Sequence, residues 1–349
     1  MTMLDSLRNN IRAMAGYTPG EQPRDGVFIK LNTNENPYPP SPRVVAAIQE
    51  VLSADRLRKY PDPIGKHFCQ AAGRVLGVDP DGVLIGNGSD DILTIVTRAF
   101  VPEGGLIVSP TPSYILYRTL AEIQGARFQA VPFTADWQLP RPWPLPQADL
   151  TLLPNPNSPS GTCIALPEVE RLTSELTGPL ILDEAYVDFA DADGLSFVGR
   201  RNVIVTRTLS KSYSLAGIRF GFAVTDPAVV QELVKVKDSY NCDVLSLAAA
   251  TAALEDQDYR QETRRRILAT RARLAAALPA LGFQVTPSHA NFLWCRRADR
   301  PVKPLYEELK RRLILVRYMN YDGYGDGLRI TIGTDAEIDR LLEELRQLV

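Results

Sequence analysis

Histidine occurs only twice in the 349 residues, at His67 and His289. Neither has a ligand partner at helical or loop spacing, and Cys-x-x-Cys is absent, so the chain offers no zinc motif. Each histidine is read as a structural residue. The four cysteines (Cys69, Cys163, Cys242 and Cys295) are too few and too scattered for a disulfide framework, and suit a reducing compartment. Charge of one sign is also missing. Lys plus Arg is 39 and Asp plus Glu is 41, a net charge of -2, which gives no electrostatic reason to bind nucleic acid or an anionic membrane. The longest apolar stretch, Val244 to Leu254, is far short of a membrane span, and the first twenty residues hold no apolar core of a secretory signal. A cytoplasmic protein is expected. No Gly-x-Gly-x-x-Gly follows an early strand, against a nicotinamide oxidoreductase, and no basic helix-turn-helix precedes residue 40, against a transcription regulator.

What is present is a globular composition, 45% hydrophobic and 23% charged, at a length that suits about two domains. The segment Leu31-Asn-Thr-Asn-Glu-Asn-Pro-Tyr-Pro-Pro40 has little periodicity and reads as part of an extended arm, residues 1–42, that must pack on something else. A helix pattern follows from Arg43 to Leu52. Short apolar runs then alternate with helical segments: Val83–Gly86, Leu106–Ser109, Leu150–Leu153, Leu180–Leu182 and Val203–Thr206. Such runs predict a mostly parallel sheet of seven-stranded type, buried on both faces by helices, an α/β domain over 43–240. The piece Pro140–Pro146 reads as a surface connection. From about residue 241 the texture changes to a smaller α+β domain, 241–349. It has an Ala-rich helix around Leu245–Leu254, a long helix Gln261–Leu281, strands at Phe283–Thr286, Asn291–Cys295, Ile314–Tyr318 and Leu328–Ile332, and a closing helix Ala336–Leu348. The run Arg264-Arg-Arg266 reads as a solvated helix face.

In open α/β sheets, ligands bind outside the carboxyl ends of the strands, so the residues after each apolar run carry the chemistry. Gly86-Asn-Gly-Ser-Asp90 precedes a helix, where Gly88, Ser89 and Asp90 fit either an ordinary N-cap or an anion cradle. Asp183 ends a buried strand and needs a cationic or hydrogen-bonding partner, because a bare buried carboxylate is costly. Lys211 follows another strand, among the hydroxyls of Thr208, Ser210 and Ser212, with Arg219 eight residues on. Hydroxyls plus an arginine make half of a phosphate clamp. A lysine beside such a clamp and opposite a strand-end Asp fits a Schiff-base nucleophile, and the constellation predicts pyridoxal phosphate. In that reading Lys211 holds the cofactor, Asp183 meets the pyridinium nitrogen and Tyr186 lies near the phenolic oxygen. Tyr114 could stack on a flat ring, and the turn Asn155-Pro-Asn-Ser-Pro-Ser-Gly161 could hydrogen-bond a ring oxygen.

Asn87-Gly-Ser-Asp90, Asp183-Glu-Ala-Tyr186 and Ser210-Lys-Ser-Tyr-Ser-Leu-Ala-Gly-Ile-Arg219, in this order and spacing, resemble the fold-type-I pyridoxal-phosphate aminotransferases, in particular their histidinol-phosphate branch. The likeness extends from Gly16-Tyr-Thr-Pro-Gly20 through Arg58-Lys-Tyr-Pro-Asp-Pro63 to Gly327-Leu-Arg-Ile-Thr-Ile-Gly-Thr334. The resemblance implies that Lys211 is the Schiff-base lysine, Asp183 the pyridinium partner, Tyr186 and Asn157 the ring-oxygen contacts and Tyr114 the stacking aromatic. It implies a phosphate cup of Thr208, Ser210, Arg219 and the Gly88, Ser89 and Asp90 backbone. Tyr60 would reach the cofactor phosphate of a neighbouring subunit, which implies a homodimer with shared active sites. Arg329 would bind the substrate's anionic end, with Arg317, Tyr17 and Asn34 as further substrate contacts. Relatives often carry a second Asn where this chain has Ser158, which leaves open whether Asn157 or Ser158 faces the ring.

The activity implied is transamination of L-histidinol phosphate with 2-oxoglutarate. Arg329 must then serve a phosphate and a carboxylate in turn, so it does not by itself identify the substrate. A broad aromatic aminotransferase and a threonine-phosphate decarboxylase of the same fold remain open. The non-enzymatic alternative, an aminotransferase-like sensor domain of a regulator, would need the DNA-binding module that does not precede residue 40.

Overall fold

The computed structural model describes residues 3–16, 20–22, 26–200 and 202–349. Strand β1 is Ile29–Leu31. The next seven are β2 (Val83–Gly86), β3 (Leu106–Thr111), β4 (Arg127–Pro132), β5 (Leu150–Pro154), β6 (Leu180–Asp183), β7 (Val203–Thr208) and β8 (Gly221–Val224). They form one sheet in the order β2-β8-β7-β6-β5-β3-β4, parallel except for β8, which runs against both neighbours. The α/β sheet expected from the apolar runs is therefore present. Strands β4 and β8 were not legible as such. β4 lies at the edge with Arg127, Gln129 and Pro132 exposed, and β8 is four residues long beginning with glycine.

Residues along the central strands alternate between two helical layers. Leu150, Leu152, Ile181 and Ile204 face Ile92, Leu93, Tyr117 and Leu120 of helices Ser89–Phe100 and Leu116–Gln124. Leu153, Leu180, Leu182 and Val205 face the other layer, with Val169 and Leu172. Trp143 is also buried there, so the Pro-rich connection, expected to be superficial, is anchored by its indole.

Strands β9 (Phe283–Val285), β10 (Phe292–Arg297), β11 (Ile314–Tyr321) and β12 (Gly325–Thr331) form a second sheet, ordered β1-β11-β12-β10-β9. The arm thus contributes a strand, with β1 parallel to β11, and its Leu31 enters the small sheet's core. The long helix Gln257–Ala277 and the closing helix Asp335–Leu348 cover this sheet. Thr334 and Glu337 cap the closing helix reciprocally. Helix Val244–Glu255, capped by Asp243, packs Ala249, Ala250 and Leu254 with Phe68 and Phe222. By packing it sits with the large sheet, whereas the expectation placed everything from residue 241 with the small one.

The arginine run needs correction at Arg264. Arg265 is exposed beside Glu262, but Arg264 donates to the carbonyls of Asp188 (2.6 Å) and Ala190 (2.8 Å). Arg266 lies over the ring of Tyr38, 4.0 Å from its centroid. Arg264, half-buried, therefore fastens the long helix to a neighbouring loop, while Arg265 and Arg266 both remain exposed, as a solvated face requires.

Among the described residues no helix is long and apolar enough to cross a membrane. No group of three or more His, Cys, Asp or Glu is gathered there as a metal would require.

Gly221 sets the approach of β8 to the start of helix Ser89–Phe100. A Cβ there would lie 2.4 Å from the Ser89 nitrogen and 2.6 Å from the Gly88 carbonyl carbon. Gly221→Ala should destabilise the protein by about 1–3 kcal/mol through overpacking, measured by urea unfolding. A variant as stable as the parent would show that this backbone contact is soft.

Candidate active site

Strands β2, β3, β5, β6 and β7 run the same way, so the loops after them collect at one edge of the sheet. There they meet the arm and the small sheet around a cleft of about 520 Å³. Period-two alternation fixes which strand-end side chains enter it. Asp183 shares the face of Ile181, and Thr206 that of Ile204, so both turn toward helix Leu116–Gln124. Glu184 and Arg207 point the other way. They bond to each other (2.9 Å) and clamp β6 to β7 from behind, with Asp193 completing the cluster.

Asp183 is 4% exposed. Burial pushes its carboxyl up to about 6. Donors from Tyr117 (2.6 Å), Ala185 N–H (3.2 Å) and Thr206 (3.3 Å) oppose the rise, and the charge of Asp90 adds to it. Glu184 is pushed to about 7, again mainly by burial, with Arg207 opposing.

Lys211 is half-buried, with Nζ donating to the Thr33 carbonyl at 3.4 Å and lying 5.7 Å from the centre of the Tyr186 ring. Its loop is held from two sides. Asn36 donates to the carbonyls of Lys211 (3.2 Å) and Ser212 (3.1 Å), and Ser212 donates to Asp188, which Arg260 of the long helix also bonds at 3.1 Å. Asn34, at φ 57, donates from its amide to the Tyr186 hydroxyl at 2.9 Å. Its own position is fixed by Thr331 and Asn291 of the small-sheet region.

One end of the cleft is built for an anion. Helix Ser89–Phe100 has Gly88 (φ 87) at its N-cap and no side-chain cap, so its first N–H groups stay available. Thr208 and Ser210 lie alongside, joined at 3.0 Å, and Arg219 donates to Ser210 at 3.3 Å. Arg219 has φ 59, a left-handed conformation uncommon for a side chain of its size. Gly88 holds a φ of 87 that L side chains rarely adopt, and a Cβ there would also lie 2.7 Å from the Arg219 Nη2, which would have to shift. Within this end, Asp90 bonds Tyr114 (3.2 Å) and faces Arg219 (3.6 Å).

The opposite end belongs to the small sheet. Arg317 and Arg329 are direct partners across β11 and β12, and both line the cleft. Like charges placed opposite repel, and an anion between them relieves that repulsion. Arg329 also donates to Ser158 Oγ and to the Asn32 carbonyl, each at 2.9 Å.

Of the expected residues, Ser89, Asp90, Tyr114, Thr208, Ser210 and Arg219 line the cleft on the anion side. Asp183, Tyr186 and Lys211 line its middle, and Asn34, Arg317 and Arg329 the far side. Gly88 forms the backbone floor beneath Arg219. Asn157 does not line it. Its amide is buried in its own turn, donating to Pro112 O (3.2 Å) and Ser160 Oγ (2.8 Å), and Ser158 faces the cleft instead. Tyr60 also lies elsewhere, 80% exposed and stacked on Tyr240 with ring centroids 4.3 Å apart. Tyr17 falls outside the described residues. Sequence reasoning missed Asn36 and Tyr117. Asn36 stands in the quoted arm motif, but nothing in Tyr117 marks it as more than a core aromatic of an amphipathic helix.

A buried acid, a lysine and an uncapped helix end with two hydroxyls and an arginine are gathered at the carboxyl edge of a parallel sheet, a set of groups that could hold a phosphorylated, amine-reactive molecule. Residues 27–345 match the sequence model of the family "Aminotransferase class I and II", and the chain belongs to that family. Histidinol-phosphate aminotransferase of Rhodopirellula baltica is 53% identical over 336 residues, 95% of this chain and 92% of that protein. Histidinol-phosphate aminotransferase 1 of Trichormus variabilis is 46% identical over 99% of this chain and its own full length. The crystal structure of histidinol-phosphate aminotransferase from Sinorhizobium meliloti in complex with pyridoxal-5'-phosphate has a TM-score of 0.83 at 29% identity, covering 92% of this chain and 91% of that one.

The raised carboxyl of Asp183 has a consequence for stability. Its folded-state value of about 6 exceeds the ordinary 3.8, so its protonation adds stability that is complete below pH 3.8 and is lost as pH rises through about 6. Asp183→Asn removes that dependence. In cofactor-free protein, the stability of Asp183→Asn relative to the parent should rise between pH 4 and pH 7, on the order of 3 kcal/mol. Parallel pH profiles in chemical denaturation would contradict it.

Proposed function

We propose that the chain transfers the amino group of L-histidinol phosphate to 2-oxoglutarate, with pyridoxal phosphate as cofactor. The observation that carries this reading is one cleft with a lysine between two anion-binding ends, one on the large sheet and one on the small. The large-sheet end, with Ser89, Thr208, Ser210 and Arg219, suits the phosphate of a resident cofactor. The small-sheet end, with Arg317 and Arg329, suits an anionic group on a substrate that comes and goes. The relatives named histidinol-phosphate aminotransferase support the choice of substrate.

When bound, pyridoxal phosphate supplies a carbonyl carbon that condenses with amines and a ring that accepts electrons. Lys211 would provide the amine that holds it, and its Nζ, when free, would carry the proton from the Cα of the amino donor to the cofactor's former carbonyl carbon, and in the opposite sense in the second half of the cycle. Asp183 presents an anion to the ring nitrogen and keeps it protonated. A charge-assisted hydrogen bond of this kind contributes about 1.5–3 kcal/mol, more where water is excluded. Tyr186, oriented by Asn34, donates its hydroxyl to the ring oxygen. Arg329 and Arg317 take the phosphate of the amino donor in one half of the cycle and the distal carboxylate of 2-oxoglutarate in the other. Both anions fit a guanidinium fork, so the same pair serves both halves.

The reading includes a homodimer in a cytoplasmic setting. The exposed Tyr60, on a hollow of about 710 Å³ formed with helices Lys66–Leu76 and Val244–Glu255, would reach the cofactor phosphate of the partner subunit. The four free cysteines suit a reducing compartment.

Reconstituted protein mixed with L-histidinol phosphate in a single half-reaction should lose its pyridoxal absorbance at micromolar donor, with phenylalanine, tyrosine and threonine phosphate far less effective. Lys211→Ala should keep the fold and show no turnover. Conversion by the aromatic amino acids instead would move the enzyme to a broader aminotransferase, and carbon dioxide release from threonine phosphate would make it a decarboxylase. Failure of the wild type to take up pyridoxal phosphate would sink the reading.

Tyr60→Phe should release pyridoxal phosphate more readily in a verified dimer, read by dialysis and absorbance. Equal retention would argue against a role for Tyr60 across the interface.

A further inference from the structure

Among the described residues, no arginine or lysine is bonded to Asp183. What it has is three donors, two on Oδ1 (Ala185 N–H and Thr206) and one, the shortest, on Oδ2. That third donor is the phenol of Tyr117, at 2.6 Å, on a fully buried side chain. Tyr114 lies just before helix Leu116–Gln124 and Tyr117 in its first turn, and the two rings meet edge to face at 5.6 Å. Asp90 binds the hydroxyl of the first and Asp183 that of the second.

We propose that Tyr117 is a positioning residue of the transfer reaction, whose hydroxyl fixes the Asp183 carboxylate and holds it as the anion that the cofactor's ring nitrogen requires. This rests on the pyridoxal-phosphate reading above.

The chemistry is a contest for one proton. A carboxylate beside a pyridine nitrogen leaves the proton on nitrogen only if the carboxylate is the weaker base of the two. Burial strengthens Asp183 as a base, and each hydrogen bond it accepts weakens it again. The phenol of Tyr117 is itself held well above its ordinary value of 10, by burial and then by the charge of Asp183, so it stays protonated and serves only as donor. The other titratable groups facing the pair are Asp90, Tyr114 and Tyr186. Asp90 acts against ionisation of Asp183, leaving Tyr117 the strongest opposing influence. Without the Tyr117 hydroxyl the proton shifts toward the carboxyl, the ring loses positive charge, and it accepts electrons from the Cα–H bond less readily.

Tyr117→Phe keeps the ring and its packing and deletes only the donor. The test uses full-length protein reconstituted with pyridoxal phosphate labelled with nitrogen-15 in the ring. Wild type should show the chemical shift of a protonated nitrogen, and Tyr117→Phe a shift displaced toward unprotonated pyridine. Turnover should fall about 10- to 100-fold, with KM for 2-oxoglutarate changed less than about threefold. In an Asp183→Asn background, adding Tyr117→Phe should cause no further loss of activity. A purely structural tyrosine would lower melting temperature and cofactor retention but leave the nitrogen shift where it is in wild type, and that result overturns the proposal. Wild-type protein that takes up no pyridoxal phosphate would remove the reading beneath the inference, and the inference with it.

Discussion

The carboxylate of Asp183 is the constraint around which this molecule is arranged. It terminates a strand with every residue buried, flanked by parallel neighbours on both sides, where an uncompensated charge is not tolerated. Compensation comes from three elements at once: a hydroxyl from the next strand, a main-chain N–H from its own turn, and the phenol of helix Leu116–Gln124. The helical layer on that face is thus set by polar demand at one point as well as by apolar burial along the strands. Directly behind, Glu184 and Arg207 solve the same problem with an ion pair, and alternation along β6 and β7 keeps the two solutions apart. An ion pair so deeply buried contributes little net stability. Its effect is to hold β6 and β7 in register, so that Asp183 and the Lys211 loop leave the sheet at a fixed spacing.

A second constraint joins the two sheets. The arm gives β1 to the small sheet and then runs along the cleft, where three of its asparagines divide the work. Asn32 offers its carbonyl to Arg329, Asn34 bonds Tyr186 and the Thr331 region, and Asn36 grips the backbone at Lys211. Asp188 works from the other side, receiving Ser212 beside Lys211 and Arg260 from the long helix. The small sheet and the lysine loop are therefore tied together through short polar contacts. Such a coupling suits a site that must accept two different anions in turn and exclude water around each.

Much of the site was legible because its residues sit at strand ends. Buried parallel strands announce themselves as apolar runs, and Asp183, Lys211, Tyr114 and the Gly88–Asp90 turn each follow one. The edge strand β4, the short β8 and the arm strand β1 lack that signal. Their pairing depends on neighbours distant in sequence. Tyr117 was invisible for a related reason. A tyrosine on the apolar face of a helix looks like core, and only the parity of Asp183 on β6 turns its hydroxyl into a contact. Asn157 erred in the opposite direction. Its type suits a ring contact, but the turn folds its amide inward and presents Ser158.

The order of strands and helices, the edge of the sheet where chemistry collects, and the types of group gathered there follow from the chain's periodicity and from motifs local in sequence. Those properties depend on residues within a turn or a strand of each other. Which side chain faces the cleft, which arginine meets which, and which donor stabilises the central acid are set by contacts among β6, β7, helix Leu116–Gln124, the arm and β11–β12. These segments lie tens to hundreds of residues apart. Only packing the two sheets against the arm brings them within hydrogen-bond reach, because such bonds act over about 3 Å and carry no signature along the chain.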